Sequence, residues 1–540
     1  MPIGRDASRL FAAACCVAAM LTAPASAQPL PDTPAGRYVR DWLEAVDSGD
    51  VRRVQALDPR AVRFFRETGG LEFVRLESAS ETVVTALLRT RLTGNYVRTT
   101  WVFDPSTPGK VLTVRAVPTD PPPGAPATAR LSDAALGEHL RDFLERSDFS
   151  GAVLVARRGR PVFSAARGLA DRERQVPNTL ESRFRVGSMD KMFTAVAVLQ
   201  LVQAGKVELD APVGTYLKDY PNADFARTVT VRQLLTHTGG AGDIFGPQYF
   251  ARRLEVKTLH DYVGLYGTRA PEFTPGTNWR YANYGFILLG RIVEAASGQS
   301  YYDYVRDRIF APAGMTGAGF EPEDAAVERR VVPYAIGPEG PRSTADTLPY
   351  RGTSAGGGYA TVGDFLAFAD ALTRHRLLDA QHYRLLTTKQ ANGGYAFGFE
   401  DGSRDGVRIF GHSGGAPGQN GYFRVVGDGE LVVVALTNVA PPPRASQVAT
   451  LVLARAIVQR PDGKVAAIGP GPAPAPSAVE RLAAFKANDG DGDGRLDKAE
   501  YRRVLTALAY PERTEAWFAE RDSDKDGFIS ADEFRGGPTR

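Results

Sequence analysis

Three short strings in this 540-residue chain bring together residue types that can do chemistry. In Phe184-Arg185-Val186-Gly187-Ser188-Met189-Asp190-Lys191 an alcohol and an amine stand three residues apart, ahead of an apolar run from Met192 to Val202. An i, i+3 spacing puts Ser188 and Lys191 on one face of a helix, and a helix that is apolar on every side is a buried one. Burial disfavours the ammonium, so the Lys191 amine can serve as a base toward the Ser188 hydroxyl. A Ser-x-x-Lys string alone is weak evidence, since ordinary composition produces about one in a chain of this length. Two further strings strengthen it: Tyr281-Ala282-Asn283, ahead of the apolar run Phe286 to Leu289, and His412-Ser413-Gly414-Gly415.

In this order and with these flanks, the three strings resemble the class C β-lactamase and penicillin-binding-protein superfamily of serine hydrolases, across residues 131–460. Leu234-Leu235-Thr236-His237-Thr238-Gly239-Gly240, Thr274-Pro275-Gly276 and Gly356-Gly357-Gly358-Tyr359 add to the likeness. The resemblance implies that Ser188 attacks a carbonyl, that Lys191 and Tyr281 share the acid and base work, and that Asn283 orients substrate and Lys191. Which of Lys191 and Tyr281 takes the first proton stays open. It also implies an oxyanion hole from the backbone N–H groups of Ser188 and Gly415, with Gly414 and Gly415 permitting close backbone approach. His412 departs from the lysine of true β-lactamases. A lysine keeps a fixed charge for a substrate carboxylate, whereas a histidine near neutrality is mostly uncharged, which argues against strong β-lactam turnover. The similar triplet His237-Thr238-Gly239 follows a helix-like segment and reads as structural. The remaining histidines show no zinc-type spacing, so no catalytic metal is expected.

A different chemistry stands near the C-terminus. Asp489, Asp491, Asp493, Gly494, Asp497 and Glu500 occupy positions 1, 3, 5, 6, 9 and 12 of an EF-hand loop, with the Arg495 carbonyl at position 7. Asp522, Asp524, Asp526, Gly527, Ser530 and Glu533 repeat the pattern, with Phe528 supplying the carbonyl. Carboxylates this crowded repel one another unless a hard cation lies among them, and Ca²⁺ is the natural one. Glu at position 12 and helix-like entering segments favour EF-hands over a dockerin. The short tail after Glu533, with Gly536, Gly537 and Pro538, points to stabilisation or attachment rather than target gripping.

The elements that must position these groups fall into three units. Pro-rich stretches at Pro118–Pro126 and Gly469–Pro476 mark linkers, expected at 119–130 and 461–476. Residues 30–118 read as an α+β unit: a helical pattern around Trp42 is followed by strands near 71–77, 82–92, 96–103 and 111–117, an order that resembles the cystatin-like folds. Residues 131–460 are expected to form an α/β domain, an antiparallel sheet flanked by helices plus a helical subdomain, with strands from both ends sharing the sheet. Residues 477–540 should be an all-α EF-hand pair.

Composition bounds the partners. A formal charge of +3, from 65 Lys and Arg against 62 Asp and Glu, leaves no basic excess for nucleic acid. Residues 1–27 combine Arg5 and Arg9, an apolar stretch and Ala25-Ser26-Ala27, the pattern of a cleavable export signal too short to span a bilayer. Both cysteines, Cys15 and Cys16, lie inside it, so the exported chain would carry neither a disulfide nor a thiol nucleophile. The expectation is an exported, calcium-binding serine hydrolase acting on an ester or amide: a D-amino peptide, a small ester or a β-lactam. Its rival is a calcium-dependent scaffold that has lost turnover.

Overall fold

The computed structural model describes residues 29–47, 51–57, 70–91, 94–119, 122, 131–337, 340–391, 394–403, 407–440, 444–456, 489, 493–501, 518 and 526–530. The expected export signal, the linker at 461–476 and the segments entering the EF-hand loops lie outside the described residues.

The N-terminal unit sets the helices Pro34–Asp47 and Val51–Leu57 beside a four-stranded antiparallel meander, Leu71–Ala79, Val83–Thr90, Tyr96–Phe103 and Val111–Thr119. One helix face and one sheet face close on each other. Val39, Trp42 and Val46 meet Val84, Ala86, Leu88, Trp101 and Phe103, with the Trp42 and Trp101 rings edge to face at 5.3 Å. Gly94, at φ 72°, turns the middle hairpin as its sequence suggests. The last strand runs past Val117 and takes in Pro118. It is an edge strand, so Pro118 can pair with Val97 on its inner side without a ladder bond being needed on the other.

In the catalytic domain, strands from the two ends of a long segment do share one sheet. Gly151–Arg157 pairs with Leu431–Thr437 in unbroken antiparallel register, from Gly151 opposite Thr437 to Arg157 opposite Leu431. The full order is Glu400–Asp401, Ile409–Ala416, Gln419–Val426, Leu431–Thr437, Gly151–Arg157 and Arg160–Arg167. Alternation along these strands sorts side chains to two faces. Val153, Val155, Val433 and Ala435 face the helices Asp133–Arg146 and Arg444–Ala456. Ala152, Leu154, Val432 and Val434 face the larger core that holds the helix Asp190–Gln203. The strand Ile409–Ala416 carries the whole His412–Gly415 string. Its glycines look unlike a strand in sequence, yet Gly411 needs to be one: a Cβ there would lie 2.0 Å from the Phe423 carbonyl.

The helix Asp190–Gln203 is buried on all sides, from Met192, Phe193 and Val196 to Leu199 and Leu201, as its uniformly apolar sequence predicts. A 3₁₀ turn, Gly187–Met189, leads into it and leaves Ser188 half-buried at its N-terminus. The helix Asn283–Ser297 packs alongside and ends at Gly298, whose left-handed φ of 73° closes its last turn.

Replacing Trp101 with alanine should remove the centre of the N-terminal core. The expected cost is about 3–5 kcal/mol, read as a shifted urea midpoint for that unit with Ser188 chemistry retained.

Candidate active site

Burial decides the state of Lys191. Its side chain is 0% exposed, and its Nζ lies 3.1 Å from Ser188 Oγ, 2.7 Å from Asn283 Oδ1 and 2.6 Å from the Ala355 carbonyl. Desolvation lowers its pKa to about 7, against the pull of the Asp190 and Asp243 carboxylates. Asp190, also buried, is pushed the other way by desolvation and is held by the Gly358 N–H at 2.6 Å. A neutral amine has two N–H donors, and two carbonyl acceptors, Asn283 Oδ1 and Ala355 O, face it. Its lone pair is then left for the Ser188 hydroxyl.

Asn283 is the first residue of its helix and is held on both sides. Its Oδ1 accepts from Lys191, and its Nδ2 donates to Asp243 Oδ1 at 2.8 Å. Tyr281, two residues earlier, lies with its ring centroid 4.7 Å from Lys191 Nζ. Its phenol oxygen is buried without a well-formed hydrogen bond. Burial raises its pKa far above the ordinary phenol value; the adjacent Ser188 hydroxyl lowers it in part, while Glu400 and Asp243 raise it further. The resting group is therefore a neutral phenol. His237 backs this loop. Its ring lies 4.3 Å from that of Tyr281, and its Nδ1 accepts the Ala282 N–H at 3.1 Å. It holds that position at φ 60°, an uncommon backbone state for a non-glycine residue.

The third string lies on the strand Ile409–Ala416, whose outer side is paired only from Ile409 to Gly411 among the described residues. Gly414 passes so close to the Ser188 turn that a Cβ on it would lie 2.0 Å from the Val186 carbonyl, and a Cβ on Gly187 would lie 2.7 Å from the Gly415 nitrogen. Gly415 itself is exposed. His412 is buried, with Nε2 2.9 Å from the Tyr395 hydroxyl and Nδ1 on the Ser413 carbonyl. Burial lowers its pKa to about 4 despite the nearby Glu400, so it is neutral near pH 7. Ser413 turns its hydroxyl to Glu400 Oε1 at 2.8 Å, and the other Glu400 oxygen pairs with buried Arg424.

A family model described as Beta-lactamase matches residues 136–457. The chain belongs to the beta-lactamase family. It is thereby a serine hydrolase. Penicillin-binding protein 4 of Amycolatopsis lactamdurans is 33% identical over 316 residues, 53% of this chain and 80% of that protein. Esterase EstB of Burkholderia gladioli is 34% identical over 237 residues, 42% of this chain and 59% of the esterase. Among solved structures, a penicillin-binding protein from Bacillus halodurans superposes with a TM-score of 0.53 at 31% identity, covering 58% of this chain and 98% of that one. A second model, described as an EF-hand domain pair, matches residues 482–537.

The EF-hand loops appended to this beta-lactamase-family domain meet through a short antiparallel pairing, Arg495 opposite Ser530 and Leu496 opposite Ile529, with Leu496 and Ile529 fully buried. Gly494 and Gly527, at φ 81° and 87°, make the sharp bend that position 6 requires. Asp489 Oδ2 accepts the Gly494 N–H at 3.0 Å, while its Oδ1 is buried without a hydrogen-bond partner. A buried carboxylate oxygen without a hydrogen-bond partner, at position 1 of the loop, is the kind of hard donor a Ca²⁺ ion takes. Of the expected ligands, Asp491, Asp522, Asp524 and Glu533 lie outside the described residues.

The structure thus brings Ser188, Lys191, Tyr281 and Asn283 together and sets Gly414 and Gly415 against the Ser188 turn. It also adds groups that the sequence did not single out: Asp243 behind Asn283, the Ala355 carbonyl on Lys191, Tyr395 on His412 and Glu400 on Ser413. Only Asp243 carried a signal, as the one charged residue closing the string Gly239-Gly240-Ala241-Gly242.

Gly414→Ala has no room for its methyl group and should lower kcat/KM about 100-fold or more, on the scale of losing one oxyanion donor, in a steady-state ester assay. A chelator should lower the Tm of the C-terminal unit and added calcium restore it, because an ion bound only by the folded state stabilises that state. Scanning calorimetry reads both, and a melt unmoved by chelator would contradict calcium binding.

Proposed function

We propose that this beta-lactamase-family domain hydrolyses an ester or amide through an acyl-enzyme on Ser188, in a protein exported to the periplasm or beyond and holding calcium in its C-terminal loops. The observation that carries the reading is the fully buried Lys191 amine, 3.1 Å from Ser188 Oγ, with its two N–H donors matched to Asn283 and Ala355.

The chemistry follows from that arrangement. Lys191 accepts the Ser188 proton as Ser188 Oγ bonds to the carbonyl carbon. The backbone N–H groups of Ser188 and Gly415 receive the developing oxyanion, a role supported by the close approach of Gly415 to Gly187. Tyr281, a neutral phenol, gives its proton to the leaving group as the bond from carbon breaks, and regains one from the Lys191 ammonium. Water then attacks the acyl carbon, its proton passes to Lys191, and the Ser188 oxygen leaves protonated. His412 keeps Tyr395 and the strand edge in place without adding charge. A neutral His412 favours D-amino peptides and small esters over β-lactams as substrates. The EF-hand carboxylates would hold calcium, which supplies rigidity and takes no part in the acyl transfer. For the N-terminal unit, two helices on a four-stranded meander support a cystatin-like reading. No helix among the described residues is long and apolar enough to cross a membrane.

A fluorophosphonate should add one label to Ser188, seen by intact mass, and none to Ser188→Ala; an unlabelled wild type would favour the scaffold reading. Acylation should rise about tenfold per pH unit below about 7 and flatten above it, as the Lys191 ammonium, which cannot accept a proton, gives way to the amine. Lys191→Ala should lose about 10³-fold in acylation together with that limb of the profile.

A further inference from the structure

Two carboxylates, Glu400 and Asp243, act on the group beside the proposed nucleophile: both favour the protonated form of the Tyr281 phenol. Glu400 occupies the strand edge next to Gly414, where Ser413 offers it both its hydroxyl at 2.8 Å and its N–H at 3.3 Å. A hydroxyl and a backbone N–H on an open strand edge are the donors that would recognise a carboxylate arriving with the substrate, and the chain's own carboxylate already holds them. Across the site Asp243 is exposed; its Oδ1 is taken by Asn283 and by the Ile244 N–H at 2.7 Å. The cations nearby are already engaged. Arg424 is buried and paired with Glu400, and Arg269 donates to the Asp243 main-chain carbonyl while stacking on Tyr266. Lys191 is enclosed by Ser188, Asn283 and Ala355, and His412 lies between Tyr395 and Ser413.

We infer that the cleft discriminates against substrates carrying a carboxylate near the scissile carbonyl and accepts neutral or cationic esters and amides, with Glu400 and Asp243 as the residues that set this preference. The inference rests on Ser188 being the nucleophile. Arg424 offsets the Glu400 charge, so Glu400 acts chiefly by filling the Ser413 donors, while Asp243, exposed beside Asn283 and in no ion pair among the described residues, contributes the negative potential that a nearby substrate group meets. An anionic substrate meets that repulsion and finds the strand-edge donors engaged. A cationic group meets attraction, with the outer oxygen of Asp243 open to solvent as its nearest partner.

Three 4-nitrophenyl esters of matched length separate the outcomes: butyrate, hemisuccinate, in which a carboxylate replaces the terminal methyl, and 4-trimethylammoniobutyrate. In the full-length protein at low salt, kcat/KM for hemisuccinate should fall at least about tenfold below butyrate, with the cationic ester at or above butyrate. Raising NaCl to about 0.5 M should narrow the spread, since screening weakens charge effects at a solvent-open cleft. Asp243→Asn keeps an acceptor for Asn283 Nδ2 and removes the charge, and it should shrink the butyrate-to-hemisuccinate ratio at least threefold. Glu400→Gln should act in the same direction; if it fails to fold because Arg424 loses its partner, Asp243→Asn still decides. Each variant is judged by its ratio between substrates, which a purely structural loss would leave unchanged. Equal rates on butyrate and hemisuccinate, or a ratio unmoved in Asp243→Asn, would overturn the inference while fluorophosphonate labelling of Ser188 left the hydrolase reading standing. Absence of both labelling and ester turnover would remove the two together.

Discussion

The desolvation of one amine governs the catalytic domain. A lysine in water is a cation at neutral pH, and most of what surrounds Ser188 serves to change that. The helix Asp190–Gln203 is buried all round, so Lys191 leaves solvent as soon as the helix packs. Two carbonyl oxygens, from elements distant in sequence, then match the donors of the uncharged form. Without the burial the amine would stay protonated, and without the carbonyls its lone pair would have no fixed direction. Helix packing and the proposed proton transfer are here the same event seen at two scales.

A second constraint is backbone proximity, and glycine meets it. The His412–Gly415 strand can lie against the Ser188 turn because Gly414 leaves space for the Val186 carbonyl, and Gly356 passes so near Gly187 that a Cβ there would lie 2.9 Å from the Gly187 carbonyl. The buried ion pair of Arg185 and Glu323, with Arg185 also donating to the Gly357 carbonyl, fastens the same glycine loop from outside. The N–H groups proposed to receive negative charge are thereby set in place by strand pairing and loop packing, ahead of any substrate.

Much of this was legible in the residues alone, for identifiable reasons. Ser188 and Lys191 are joined by helical spacing, and the uniform apolarity of Met192–Val202 already implied burial. The strands of the N-terminal meander follow from period-two alternation, and the EF-hand loops from a ligand pattern whose every position has a chemical requirement. What escaped notice lacks such periodicity. Glu400 meets Ser413 only because a two-residue strand pairs beside Gly411, and Ala355 reaches Lys191 through a loop far along the chain. The close backbone approach that Gly414 and Gly415 allow was legible, but the carbonyl it serves, that of Val186, was not. Pro118 acted in the opposite way, ending the expected strand at Val117 where an edge strand tolerates the proline and runs on to Thr119.

The sheet of the catalytic domain closes with Gly151–Arg157 lying between Arg160–Arg167 and Leu431–Thr437. The early hairpin therefore waits, during synthesis, for a neighbour made more than two hundred residues later, and its inner edge has no lasting partner until then. Contacts so remote along the chain make folding slow, because the loop must close before the pairing rewards it. A chain that stops before Ile409 lacks the His412–Gly415 strand that packs against the Ser188 turn, and one that stops before Leu431 lacks the strand that joins the early hairpin to it. If the protein is exported unfolded, the same delay helps keep it threadable until passage is complete.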